Sequence, residues 1–121
     1  MRALMLAIGL AMASMHASPR EAIKRTWYAN GQLADERRFV NGAEEGVHRG
    51  WWSDGKPRFE YAYRAGLLEG LSREWMQSGA IYREQHYARG QESGLQRLYW
   101  PDGRVRASCP RTVGHRFRHV V

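Results

Sequence analysis

The stretch WYANGQLADERRFVNGAEEGVHRGWW, Trp27 to Trp52, decides the fold, because its parts return along the chain at a fixed interval. Trp27, Trp51, Trp75 and Tyr99 are spaced 24 residues apart, and so are Gly31, Gly55, Gly79 and Gly103. Glu36, Glu60 and Glu84 keep the interval, as do Phe39, Tyr63 and Tyr87, and Arg25, Arg49, Arg73 and Arg97. Ten of the 13 glycines fall on three repeat positions, which chance does not produce over three periods without insertions. A period of this length marks a repeat array, in which each unit is stabilised mainly by its neighbours. Complete units cover 27–50, 51–74 and 75–98, and a partial unit runs over 99–105.

The period also predicts the local structure. Asn30-Gly31, Asp54-Gly55 and Asp102-Gly103 are strong two-residue hairpin signals, with Ser78-Gly79 a weaker version. A type I′ turn needs a left-handed backbone at both central residues, which these pairs supply cheaply. A second turn, such as Gly42-Ala43-Glu44-Glu45-Gly46, is longer, with glycine at both ends. The expected fold is all-β: an elongated, single-layer antiparallel meander of hairpins with about eight strands. Two-residue turns then fix the pairing. Arg25 faces Glu36, Arg49 faces Glu60 and Arg73 faces Glu84, while Arg97 faces Ser108 in the fading last unit. One face is expected to carry these pairs with Trp27, Trp51, Trp75 and Tyr99. The other carries Phe39, Tyr63 and Tyr87, plus the opposed pairs Tyr28–Leu33, Trp52–Pro57, Met76–Ile81 and Trp100–Val105. The register across the longer turn stays open, since a bulge there moves residues between faces.

The start of the chain has a different character. Met1-Arg2 precedes an uncharged run from Ala3 to Ala13, and small residues follow at Ser14, Ala17 and Ser18. This is the layout of a secretory signal peptide over 1–17, with a cut after Ala17 or after Ala13, and the run is too short to span a bilayer. The expected organisation is signal peptide, repeat domain over 18–105 and basic tail over 106–121. The expected location is outside the cytoplasm, periplasmic or secreted.

Of 121 residues, 19 are Lys or Arg and 12 are Asp or Glu, a formal net charge of +7. That excess suggests nucleic acid until its position is read. Residues 18–103 hold 13 basic and 12 acidic residues, whereas Arg104 to Val121 holds five Arg and no acid. The repeat body is nearly neutral, and nucleic acid fits poorly with export. The basic end suits an anionic lipid surface or an acidic partner.

At this point the residues resemble a known family. The Trp or Tyr before Asn/Asp-Gly, the Glu three residues ahead of Phe or Tyr, and the Asn-Gly-x-x-x-Gly are similar to MORN-variant repeats. The likeness covers residues 25–105, with departures at Gly50, where the other units have Glu74 and Leu98, and at Ser78-Gly79. It implies stacked hairpins in a twisted sheet used for binding, with no catalytic residues and no cofactor. Some bacterial members are assigned as antitoxins that neutralise a companion toxin, and MORN repeats more broadly serve membrane association and scaffolding.

Candidate binding residues follow from both readings. The ladder Trp27, Trp51, Trp75, Tyr99, with Arg49, Arg73 and Arg97, is the preferred surface, because aromatic residues with Arg are frequent interface anchors. The plainer role for the same residues is cross-strand pairing and packing within a thin sheet. The single cysteine, Cys109, forms a C-x5-H-x3-H pattern with His115 and His119, which lacks a fourth ligand and fits zinc spacing loosely. The expected partner is a protein, with a toxin as one candidate. The alternative is an envelope module bound to anionic lipid or cell-wall glycan. An enzyme needs acid, base or metal groups converging in a pocket, and the sequence suggests none.

Overall fold

The computed structural model describes residues 18–111, so the leader reading and both His115 and His119 lie outside the described residues. The chain forms one open antiparallel sheet of 11 strands and, among the described residues, no helix. Eight longer strands make the meander: β1 (Glu21–Trp27), β2 (Leu33–Val40), β4 (Gly46–Trp51), β5 (Pro57–Arg64), β7 (Gly70–Trp75), β8 (Ile81–Ala88), β10 (Gly94–Tyr99) and β11 (Val105–Arg111). Three two-residue strands, β3 (Ala43–Glu44), β6 (Leu67–Leu68) and β9 (Gln91–Glu92), pair back onto β2, β5 and β8. The all-β hairpin meander read from the sequence is thus the observed fold. β11 carries the pairing to Arg111, six residues past the expected end of the repeats.

The Arg–Glu register is as expected: Arg25 faces Glu36, Arg49 faces Glu60, Arg73 faces Glu84 and Arg97 faces Ser108. The turns that deliver it differ from expectation. Gly31 N–H donates to the Tyr28 carbonyl (3.0 Å) and Tyr28 N–H to that of Gln32 (2.9 Å). Only the glycine of this turn is left-handed (φ 86°). This is a three-residue loop, a type I turn closed by a glycine bulge, and not a type I′ turn. Its sequence rule is therefore different. Asn30 Oδ1 accepts the N–H of Gln32 (3.0 Å), Asp54 that of Lys56 (3.0 Å) and Asp102 that of Arg104 (2.9 Å). Asn and Asp are selected because their side chains close the turn over their own backbone. Ser78, a shorter arm, makes the same bond at 3.4 Å.

A three-residue loop alone would shift every pair by one. A one-residue bulge restores the register: Trp27 faces Leu33 while Thr26 faces Asp35, leaving Ala34 as the extra residue. Arg58, Tyr82 and Arg106 occupy the same place in the later hairpins. The expected pairs Tyr28–Leu33, Trp52–Pro57, Met76–Ile81 and Trp100–Val105 therefore do not form. Leu33, Pro57, Ile81 and Val105 oppose Trp27, Trp51, Trp75 and Tyr99 instead.

The true type I′ turns lie in the segment read as a longer turn. Asn41-Gly42 (φ 51° and 83°), Ala65-Gly66 (49° and 84°) and Arg89-Gly90 (50° and 79°) are left-handed at both positions. Each tip is fastened to the unit before it. Asn41 N–H donates to the Arg20 carbonyl (2.7 Å), Gly66 N–H to Glu44 (2.9 Å) and Gly90 N–H to Leu68 (2.8 Å). Beside them, the Glu45 carboxylate accepts from Ala65 N–H (2.8 Å) and Glu69 from Arg89 N–H (2.6 Å). At the opposite end of the hairpins, the Tyr28 hydroxyl donates to the Trp51 carbonyl (2.6 Å) and Asn30 Nδ2 to Ser53 (2.9 Å). The type I′ end is thus tied from unit to unit along the stack, and the other end between units one and two.

A single layer buries little. Among the described residues no hydrophobic side chain is fully buried; His48 (3% exposed), Ser72 (4%) and Gly50 are the most enclosed positions. Gly50 is the departure noted in the sequence, and its cause is packing and not turn geometry. A Cβ placed there would stand 2.1 Å from Phe59 Cε2, because the Phe59 ring lies across the backbone of its cross-strand partner.

Candidate functional site

The register across the second turns joins the separate ion pairs into one row. Glu36 faces Arg25 on one side and Arg49 on the other, Glu60 lies between Arg49 and Arg73, and Glu84 between Arg73 and Arg97. Seven strands therefore carry Arg25, Glu36, Arg49, Glu60, Arg73, Glu84 and Arg97 in alternation. Arg25 Nε meets Glu36 at 2.8 Å and Arg49 Nε meets Glu60 at 3.7 Å. Glu84 accepts the Tyr99 hydroxyl, and this bond, ahead of burial, raises the Tyr99 pKa. The candidate arginines Arg49 and Arg73 thus stand between two glutamates of the same sheet, and Arg97 between Glu84 and Ser108. Of the candidate ladder, Trp27 is 59% exposed at the β1 edge, while Trp51, Trp75 and Tyr99 are half-buried. Alternation along the strands assigns these residues to one face, but Trp75, at the end of its strand, also lines a cleft with Tyr61 and Glu74 of the other face, and the ladder as a whole is not gathered around a cavity.

The opposite face is where side chains converge. The His48 ring packs against Tyr63 (centroids 4.6 Å) and Phe39 (5.7 Å), and its Nε2–H donates to the Arg38 carbonyl (2.9 Å). Phe59 stacks on Tyr61 (4.8 Å, 15°). The Tyr61 hydroxyl donates to Glu74 Oε1 (2.6 Å), and Arg83 stands 3.8 Å from Glu74 Oε2. Burial first, and then the Glu74 carboxylate, push the Tyr61 pKa well above its ordinary value, and burial does the same at Tyr87.

Two clefts adjoin here, sharing Tyr61 and Glu74. One, about 370 Å³, reaches from Trp52 and Arg58 to Trp75 and Tyr82. The other, about 190 Å³, lies over Ser72 between Tyr63 and Tyr87. Among the described residues, two buried side-chain polar atoms lack a hydrogen-bond partner, Trp52 Nε1 and Ser72 Oγ, and each belongs to a residue lining one of these clefts. Buried polar groups in folded proteins are nearly always satisfied, so these two atoms, which have no protein partner, call for water or a bound group to complete them.

Of the sequence candidates, only Trp75 borders this groove. Trp52, Tyr61, Ser72, Glu74 and Gln85 were not singled out. A signal for one of them existed in the repeat itself: positions 48, 72 and 96 read His, Ser and Gln, and the small residue stands in the middle unit. Cys109 lies on edge strand β11 opposite Gln96, beside a third cleft of about 350 Å³. Among the described residues, no group of three His, Cys, Asp or Glu side chains could hold a metal ion. Among them also, no helix is long and apolar enough to cross a membrane. Compared with protein-family models, curated proteins and solved structures, the chain finds no match.

Proposed function

We propose that this chain is an exported, non-enzymatic recognition module, of the MORN-variant kind, that binds a protein partner through the aromatic face of units two and three. The observation that supports this reading is the groove around Glu74. It combines rings from seven positions with two buried polar atoms left unpaired, the composition of an interface anchor site. The arginines of the other face support it less, because each faces at least one glutamate of its own row. A companion toxin is one such partner, making the module an antitoxin or immunity protein.

The test is reconstitution of a complex from purified components after affinity capture from periplasmic extract. A stoichiometric complex is expected that survives Trp27→Ala and is lost on Trp52→Ala or Trp75→Ala. Co-expression with a toxin encoded next to this chain should restore growth if the antitoxin version holds. A second reading, attachment to anionic lipid or cell-wall glycan, draws on the opposite end of the array. There Arg106 stacks on the 45% exposed Trp100 (4.7 Å) beside Arg104. Co-sedimentation with liposomes or peptidoglycan at low and high salt, without a reconstituted protein complex, would decide for it.

A further inference from the structure

The repeat builds the same position three times and fills it twice. At 48 the chain supplies an imidazole, held between Phe39 and Tyr63 and hydrogen-bonded to the Arg38 carbonyl. At 96 it supplies a carboxamide, whose Nε2 donates to the carbonyls of His86 (2.9 Å) and Ser93 (3.2 Å). Both groups are planar and both donate N–H. At 72 the chain supplies only a serine hydroxyl, 96% of the residue buried, with no partner. The space that an imidazole or amide would occupy between Tyr63 and Tyr87 stays as the cleft of about 190 Å³. Unit one shows what such a slot accepts, a planar group lying against a tyrosine ring.

The polar atoms around the slot narrow the chemistry. The Glu74 carboxylate lines it with acceptors and a negative charge, and Ser72 Oγ and the Gln85 amide can each accept as well as donate. Tyr61 occupies one oxygen of Glu74, and Arg83 approaches the other only loosely, at 3.8 Å. Among side chains, a guanidinium is planar, carries five N–H donors and no acceptor, stacks on aromatic rings and pairs with carboxylates. We infer that the Ser72 slot receives a guanidinium group, presented by an arginine of the protein partner. This deepens the recognition reading and rests on it. It names the chemistry of one contact within the groove.

The experiment titrates the purified chain with N-acetyl-arginine-N-methylamide and follows the NMR signals of Ser72, Tyr63 and Tyr87. The neutral citrulline analogue, the lysine analogue and N-acetylglucosamine serve as comparisons. The expected result is saturable binding of the arginine probe, with a dissociation constant on the order of 1 mM for so small a ligand. Citrulline and lysine should bind at least about tenfold more weakly, since one lacks the charge and the other the plane. Ser72→His, which copies unit one, should abolish binding while leaving the melting temperature unchanged or higher. Ser72→Gln, which copies unit three, gives the same answer if the histidine variant misfolds. Glu74→Gln should weaken arginine binding about tenfold and leave the citrulline signal unmoved.

Absence of saturable arginine binding, or retention of it in both Ser72 variants, overturns the inference. So does saturation by N-acetylglucosamine in place of arginine, which would make the groove a sugar site. A reconstituted partner complex that forms equally well with Ser72→His overturns the slot as a partner contact and leaves the recognition reading standing. Arginine binding that behaves as expected in a chain forming no protein complex overturns the recognition reading and leaves the slot.

Discussion

Arg25, Glu36, Arg49, Glu60, Arg73, Glu84 and Arg97 alternate across one face, each glutamate set in register between two arginines. On the other face, Phe39, His48, Tyr63, Phe59, Tyr61 and Tyr87 interlock as far as Ser72, where the packing opens into a cleft. The first face closes on itself: its charges have partners supplied by the register alone. The second depends on side-chain size at each position, so one small residue leaves it incomplete. Regular spacing dictates the charged face; departures from regularity dictate the aromatic one. The same 24-residue period thus yields one surface that is regular throughout and one that keeps an open cleft.

Substitutions can break this contrast. The largest loss should come from Gly50→Val on the aromatic face. Its Cβ would enter the Phe59 ring, and overpacking of this kind costs about 1–3 kcal/mol. Urea denaturation measures it. The double change Gly50→Glu with Phe59→Arg, which copies Glu74 and Arg83, should recover part of the loss, because the pair is coupled.

On the charged face, Glu60→Gln should cost about 0.5–1 kcal/mol, since it leaves Arg49 and Arg73 across from a neutral residue. Its effect should shrink at high salt, whereas that of Gly50→Val should not. A cost that salt leaves unmoved would show that the row acts through packing and not charge.

The smallest effect separates the faces by pH. Tyr61, Tyr87 and Tyr99 all have pKa values raised above the ordinary 10.0. The folded chain therefore holds these protons more tightly than the unfolded one. The stability they contribute is complete below pH 10.0 and is lost as the pH rises beyond it. Thermal melts should show the midpoint falling across that window. Tyr61→Phe should flatten the fall more than Tyr99→Phe, because burial dominates at Tyr61 and a half-exposed hydrogen bond at Tyr99.

The hairpin order and the Arg–Glu pairs were legible because both depend on spacing. The pairs came out as expected although the turn type did not: the longer loop and the extra residue at Ala34, Arg58, Tyr82 and Arg106 offset one another. Turn type was misleading at Asn30-Gly31 because Asn also closes a type I turn through its side chain. Ala65-Gly66 and Arg89-Gly90 hid type I′ turns because Ala and Arg rarely adopt a left-handed backbone. The row across the whole face needed the register of the second turn, which the sequence left open. The groove was harder still. It arises from a ring lying over Gly50, a bond between Tyr61 and Glu74, and an absence at Ser72, none of which a repeat consensus displays.

The tips Asn41-Gly42, Ala65-Gly66 and Gly90 each hydrogen-bond backward onto the preceding unit, and the charged row adds one Arg and one Glu per period. Copy number is therefore a free variable of this design. Inserting or excising 24 residues, such as 51–74, leaves both edge strands, the row's alternation and its charge balance intact, while removing 23 would put the strands on either side of the junction out of register. The length of the sheet can drift in whole units while its internal chemistry stays fixed, and a lineage could lengthen or shorten the aromatic face by unequal recombination alone.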